Sequence, residues 1–157
     1  MKKLNSTFGT ILLVLGCFAF SPAVKADPPI VGLWDVHYSN GLETYDQWHS
    51  DGLEFEVGSL FPGMMCQGTW KLAANRTVQL FHVGFTFGGA CPSHTDVRFE
   101  ETQINTVSHD RNTYDGTYDT RYLDANGNLA CEDTGTLHAT RLSVDQFADQ
   151  PNAAPGQ

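Results

Sequence analysis

The sequence predicts an all-β protein, a single antiparallel eight-stranded up-and-down β-barrel that follows a cleaved signal peptide. Three observations predict it: polar residues alternate with apolar or aromatic ones in many short segments, turn residues separate these segments, and no useful length of chain carries a helical period. An antiparallel sheet of this size tends to close on itself, because closure removes its unpaired edges.

The N-terminal segment is predicted to be a secretory signal peptide. Lys2 and Lys3 give it a basic start, an apolar run covers 8–20, and small residues end at Ala26. The run is shorter than the roughly 20 apolar residues that a transmembrane helix needs. We therefore expect export to the periplasm or the extracellular space, with no integral membrane segment in the mature chain. The expected organisation is a signal peptide at 1–26, a barrel at 27–142 and a flexible tail at 143–157.

The charge of the chain argues against two classes of partner. It has 18 acidic and 9 basic residues, for a formal net charge of −9. Three of the basic residues, Lys2, Lys3 and Lys25, belong to the predicted signal peptide, whereas every acidic residue follows it. So acidic a surface repels nucleic acid and anionic lipid.

The first half of the barrel is predicted as four strands. In the first, 30–38, Trp34 begins an alternation with polar residues, and an Asn-Gly turn leads to the second, 42–49. A Ser-Asp-Gly turn precedes the third strand, 53–57, which alternates strictly. The fourth, 64–72, places a cysteine, a glycine and a tryptophan on one face.

The second half is predicted as four longer strands. The fifth, 76–87, is rich in aromatic and β-branched residues, and a Gly-rich loop separates it from the sixth, 94–107. The seventh, 113–123, carries several tyrosines on one face. An Asp-Ala-Asn-Gly-Asn hairpin signal then leads to the eighth, 129–142.

Gly32-Leu33-Trp34 resembles the Gly-x-Trp motif of the lipocalins and the wider calycin superfamily. The resemblance implies a barrel whose tryptophan plugs the closed end, with a basic residue of the last strand lying across the indole. Arg141 matches that basic position. A cation–π contact of this kind contributes roughly 0.5–2 kcal/mol.

An up-and-down order gathers the longer loops at one rim, the predicted mouth. These loops are 39–41, 58–63, 88–93 and 124–129, and the opposite end holds the turns at 50–52, 73–75 and 108–112. Three cysteines fall near the mouth, and an exported chain with three cysteines is expected to form one disulfide. We predict the pair Cys66–Cys91, with Cys91–Cys131 as its main rival.

The rim is rich in apolar residues, which predicts an entrance for a small apolar ligand; the alternative is that these residues cap a filled core. The predicted ligand-binding residues are Phe61, Met64, Met65, Trp70, His82, Phe85, Phe99, Glu101, Tyr114 and Tyr118. The opposite parity of the fifth strand would place Phe81, Val83, Phe85 and Phe87 inside and His82 outside.

Inside the lumen, His82, Glu101 and Tyr118 are expected as polar groups, either a satisfied structural network or an acid–base set. Three functions follow: a small-molecule-binding protein, which we favour; a calycin-like isomerase or cyclase, in which these three residues handle protons; or a solid barrel that acts by surface contacts. No His or Cys spacing along one strand forms a ligand pair, so no metal and no cofactor are predicted.

Overall fold

A computed structural model describes residues 26–59, 64–87 and 89–147. The predicted signal peptide, except Ala26, and most of the predicted tail lie outside this part of the chain, as does Phe61. Within it, a short 3-10 turn at Val144–Phe147 follows the last strand, and no helix is long and apolar enough to span a membrane. The strands are β1 Gly32–Tyr38, β2 Glu43–Trp48, β3 Leu53–Gly58, β4 Met65–Leu72, β5 Thr77–Phe85, β6 Asp96–Val107, β7 Thr113–Asp124 and β8 Leu129–Leu142.

The predicted fold class is confirmed. Each strand pairs antiparallel with its neighbour in the chain, and β8 pairs with β1 to close the barrel. The connections are short because antiparallel neighbours need only a hairpin between them. At the last hairpin, for example, Gly127 adopts a φ of +84° and its N–H donates to the Asp124 carbonyl.

Trp34 and Arg141 are in contact at the base of the barrel. Trp34 is fully buried, and the guanidinium carbon of Arg141 lies 4.1 Å from the centre of the indole. The same guanidinium donates to the carbonyls of Val31 and Pro29 at 2.8 and 2.6 Å. Gly32, with a φ of +143°, leaves the space that the guanidinium occupies. Gly32 and Trp34 therefore both accommodate the guanidinium of Arg141: the glycine leaves space for it and the indole stacks against it.

The interior has three layers along the barrel axis. An apolar cluster fills the base around Trp34, and a smaller one near the mouth contains Met64, Cys66 and Phe99. Along β5 and β6, His82 and Glu101 lie between these two clusters. The lumen is therefore polar at its middle, whereas the sequence predicted an apolar lumen around a few polar groups.

Two predicted lining residues lie outside the barrel. Met65 and Phe85 are each 63% exposed. Successive side chains of a strand point to opposite faces, and the inward positions beside them belong to Cys66 and Gly84. The parity that placed His82 inside is confirmed, so the opposite parity for the fifth strand is wrong.

The predicted Cys66–Cys91 disulfide is also wrong. Cys91, in the loop after β5, is bonded to Cys131 of β8 with a Cα–Cα distance of 5.9 Å. Cys66 is a buried free thiol in the mouth cluster. Its side chain points into the lumen from β4 and packs against other interior residues. Cys66 therefore remains a free thiol although it lies near the rim.

Candidate functional site

A buried histidine surrounded by three glutamates occupies the middle of the barrel. His82 of β5 lies opposite Glu101 of β6, and His82 Nε2 is 3.1 Å from Glu101 Oε1. The other ring nitrogen, Nδ1, lies 3.4 Å from Glu54 Oε2 and 3.3 Å from Glu56 Oε2, both on β3. All four side chains are nine-tenths or more buried.

A glycine on the intervening strand allows β3 and β5 to present these groups to each other. Gly68 of β4 is paired with Glu54 on one side and with His82 on the other. A Cβ at position 68 would lie 2.5 Å from His82 Cβ and 2.9 Å from Glu54 Oε2. The missing side chain therefore opens the space in which the carboxylate and the imidazole meet.

Glu101 is held by a network of buried hydrogen bonds. The Gln103 amide donates to Glu101 Oε1 at 2.7 Å, and the Thr120 hydroxyl donates to Glu101 Oε2. Gln103 is oriented in turn by Asn105, which donates to its carbonyl oxygen at 2.7 Å. The Glu101 carboxylate is therefore satisfied and fixed in place.

Glu54 and His82 are bonded differently. Neither carboxylate oxygen of Glu54 nor Nδ1 of His82 has a hydrogen-bond partner among the described residues. The contacts of His82 Nδ1, 3.4 Å to Glu54 and 3.3 Å to Glu56, are longer than the 2.7–3.2 Å usual for an N–H···O bond. Buried polar atoms without hydrogen bonds are rare and costly, so this part of the cluster requires an explanation.

The electrostatics of the cluster are dominated by burial and by mutual contact. Burial raises the pKa of Glu56 to about 7, although His82 acts in the opposite direction. Burial alone would lower the pKa of His82, but the surrounding glutamates, Glu101 foremost, raise it above its usual value. Burial would raise the pKa of Glu101, yet His82 and the hydrogen bonds lower it. The cluster thus contains three carboxyl groups and one imidazole.

A pocket of about 470 Å³ opens at the mouth of the barrel. Its apolar lining residues include Leu42, Met64 and Tyr122, and the Cys91–Cys131 disulfide contributes Cys131 to its wall. Its polar lining residues are Asn40, Thr86, Glu132 and Asp133. A wider depression of about 590 Å³ runs along the outer wall at 69–71, 79–81 and 102–104, away from this pocket.

Phe99 lies between the mouth pocket and the buried cluster. Its ring centre is 6.0 Å from that of Tyr122, which lines the pocket, and 5.8 Å from that of His82. The glutamates and His82 therefore lie beneath an apolar layer that includes Phe99, rather than in the wall of the open pocket.

The structure brings together some of the predicted site residues and separates others. His82, Glu101 and Phe99 meet at the centre, and Met64 lines the mouth. Trp70 and Tyr114 belong to the base cluster. The Tyr118 hydroxyl donates to Asp133 at 3.2 Å rather than to the histidine or the glutamate, so the predicted acid–base trio is split.

Glu54 and Glu56 were not predicted as site residues. They are two residues apart on β3 and both face inward, but glutamates at this spacing are not recognisable as ligands until His82, on another strand, is known to face them. One signal was present: Trp48 and Glu54 are paired across the turn between β2 and β3, so an inward tryptophan implies an inward glutamate.

No protein-family model matches the sequence, and no curated protein matches it. Among solved structures, the chain is similar to one described as EF1p2_mFAP2b bound to DFHBI. The two share 15% identity with a TM-score of 0.46, over 73% of this chain and 94% of that chain. This similarity assigns neither a family nor a function to the chain.

Proposed function

We propose that this protein is an exported β-barrel that binds a small molecule in the pocket at its mouth. The observation that carries the proposal is the pocket itself, whose volume of about 470 Å³ falls within the range of roughly 300–1,000 Å³ typical of small-molecule sites. It opens at the rim that gathers the longer loops, and rims of small barrels are common ligand sites.

The lining indicates the chemistry of the ligand. Leu42, Met64 and Tyr122 offer an apolar surface, and methionine adapts to irregular shapes. Asp133, which accepts a hydrogen bond from Tyr118, adds a carboxylate to the lining. A ligand with an apolar body and a hydrogen-bond-donating or positively charged group matches both the apolar lining residues and this carboxylate.

Export is supported by two features. The basic, then apolar, then small-residue order of 1–26 is typical of a secretory signal peptide. The Cys91–Cys131 disulfide favours an oxidising compartment, where such bonds persist.

The proposal is tested by native mass spectrometry of the protein purified from its own host, together with titration by the neutral fluorescent dye Nile red. Ala90→Trp fills the pocket from one wall and is expected to weaken dye binding at least about tenfold, the loss of about 1.4 kcal/mol of binding free energy. Thr69→Trp adds the same bulk on the exposed outer face and serves as the matched control.

The proposal is supported if a small molecule travels with the natural protein and only Ala90→Trp weakens dye binding. It is contradicted if Ala90→Trp, verified as folded by circular dichroism, binds the dye as the unmodified protein does. Equal losses in both variants would also contradict it, since the dye would then report the outer wall.

A further inference from the structure

We propose that Glu54, Glu56 and His82 form a binding site for one divalent transition-metal ion inside the barrel, with Glu101 orienting the histidine. The three side chains offer ligand atoms that lie within 4.8 Å of one another, and all three residues are at most 1% exposed. This site is separate from the mouth pocket, so the proposal does not depend on the proposed function.

Several buried atoms that face the site lack hydrogen bonds among the described residues. Glu56 uses one carboxylate oxygen to accept a hydrogen bond from the Tyr38 hydroxyl at 3.1 Å, which leaves its other oxygen directed at His82. Glu54 has no hydrogen bond to either oxygen among the described residues, and His82 has none at Nδ1. A metal ion would coordinate these buried atoms, which hydrogen bonds do not satisfy.

The spacing of the ligand atoms also fits a metal ion. Zinc is bound at about 2.0–2.2 Å by histidine nitrogen and carboxylate oxygen, usually with tetrahedral geometry. Two ligand atoms on such an ion are separated by about 3.2–3.6 Å, since a tetrahedron's edge is about 1.6 times its centre-to-corner distance. The two contacts of His82 Nδ1 measure 3.3 Å to Glu56 and 3.4 Å to Glu54. They match this edge better than they match hydrogen bonds.

The other ring nitrogen of His82, Nε2, faces a carboxylate. A histidine that binds a metal through one nitrogen usually directs the other towards a carboxylate or carbonyl oxygen, which fixes the tautomer and the ring orientation. Here Nε2 lies 3.1 Å from Glu101 Oε1, and Glu101 is itself anchored by Gln103 and Thr120. Glu101 is therefore a positioning residue rather than a ligand.

The donor set indicates the class of ion. Imidazole suits zinc, copper, iron and nickel, whereas carboxylates also accept harder ions such as manganese. One nitrogen with carboxylate oxygens selects a divalent transition metal over magnesium or calcium, which prefer oxygen alone. A divalent ion would also balance the excess of buried carboxylates over imidazole.

A second group of potential ligands, Asp35, His37 and Glu43, provides the control. His37 Nε2 lies 3.5 Å from Asp35 Oδ1, but the His37 side chain is 57% exposed, and exposed acidic groups are common without an ion. His37→Gln therefore removes an imidazole at the surface, while His82→Gln removes one in the core. Glu54→Gln keeps the shape of the carboxylate and removes its charge.

The experiment measures zinc content and affinity. The full mature chain, with its disulfide intact, is freed of metal by chelation in urea, refolded with and without zinc, and analysed by elemental mass spectrometry and calorimetric titration. Refolding in the presence of the metal allows the ion to enter before the barrel closes. Cobalt replaces zinc in a parallel sample, because tetrahedral cobalt has a characteristic visible absorption. Thermal unfolding verifies that each variant folds.

We expect one zinc per chain in the unmodified protein, with a higher melting temperature than the metal-free form. Affinity should fall at least about 100-fold in Glu54→Gln and His82→Gln, and about 10–100-fold in Glu101→Gln, as for residues that orient a ligand. His37→Gln should bind as the unmodified protein does.

The proposal is overturned if the unmodified protein takes up no stoichiometric zinc or cobalt after refolding. It is equally overturned if folded Glu54→Gln keeps full affinity, or if His37→Gln rather than His82→Gln abolishes binding. If Glu54→Gln and His82→Gln do not fold, the stoichiometry, the cobalt spectrum and the melting temperature of the unmodified protein decide the question.

Discussion

Gly68 lies directly beside His82 on the neighbouring strand, so close that a Cβ on the glycine would come within 2.5 Å of the Cβ of the histidine. The same Cβ would also approach Glu54 Oε2 at 2.9 Å. The glycine in the middle of β4 therefore determines how closely a buried acid and a buried base approach each other across an intervening strand.

Gly68→Ala is expected to destabilise the protein by about 1–3 kcal/mol, because the added methyl group overpacks the cluster against backbone and side-chain atoms. It should also weaken zinc binding, since it pushes Glu54 and His82 apart. Urea unfolding measures the first effect. Gln67→Ala, next in the strand but on the outer face, is the control and should change stability by less than about 0.5 kcal/mol. Equal stability of the two variants would show that the cluster accommodates an added methyl group without overpacking.

Arg141→Lys should destabilise the base of the barrel by about 2–3 kcal/mol. Lysine keeps the positive charge but cannot reproduce the planar group that stacks on Trp34 and donates to several carbonyls at once. Thermal or urea unfolding measures the loss. Arg121→Lys is the matched control, because Arg121 is half-exposed and its contact with Glu132 is a surface ion pair. A loss as small as that of the control would mean that the seal contributes little.

Removal of the Cys91–Cys131 disulfide should lower the free energy of unfolding by about 4 kcal/mol in the loop-entropy model, since the two cysteines are 40 residues apart. The double substitution Cys91→Ser and Cys131→Ser is compared with Cys66→Ala by urea unfolding with and without reductant. Only the unmodified protein and Cys66→Ala should respond to the reductant. Peptide mapping that found Cys66 in the disulfide would contradict the structure.

Asp96 should make stability depend on acidity. Burial would raise its pKa, but the backbone N–H groups of Ala90 and Cys91, which donate to the carboxylate, hold it below the usual value. A carboxyl group with a lower pKa in the folded state contributes stability that is present above the unfolded pKa of about 3.9 and is lost as pH falls through the folded pKa.

Asp96→Asn should therefore be less stable than the unmodified protein at neutral pH, and the difference should shrink below about pH 4. Urea unfolding between neutral and strongly acidic pH measures it. Asp145→Asn, on an exposed residue after β8, is the control and should change stability by less than about 0.5 kcal/mol. A difference that stayed constant at every pH would indicate that Asp96 acts through packing rather than charge.

Much of the barrel could be predicted from local patterns. Alternation and turn residues locate strands because side chains of a strand point alternately in and out, and this parity also placed His82 and Glu101 in the lumen. The contact between Arg141 and Trp34 at the base could be predicted because it involves only three residues, Gly32, Trp34 and Arg141.

The acidic face of β3 shows where local patterns stop. Leu53, Phe55 and Val57 alternate with Glu54 and Glu56, and the apolar residues point outward while the acids are buried. The pattern alone favours the reverse, because burying carboxylates is costly. Pairing through the turn and contact with His82, both non-local, decide the orientation.

The disulfide depended on similar non-local information. All three cysteines were expected near the mouth, and spacing does not distinguish them. Cys131 lies on the wall of the mouth pocket, within reach of the loop that carries Cys91, whereas Cys66 faces the interior. The direction of each cysteine side chain, and therefore the disulfide pairing, is determined only once the barrel is assembled.

The most direct test of the central claim, that Glu54, Glu56 and His82 face one another inside a closed barrel as metal ligands, is a crystal structure of the zinc-refolded protein with anomalous data at the zinc edge. The barrel described here predicts an anomalous peak about 2.0–2.2 Å from His82 Nδ1 and from oxygens of Glu54 and Glu56. No peak inside the barrel, or a peak only at the exposed group around His37, would contradict it.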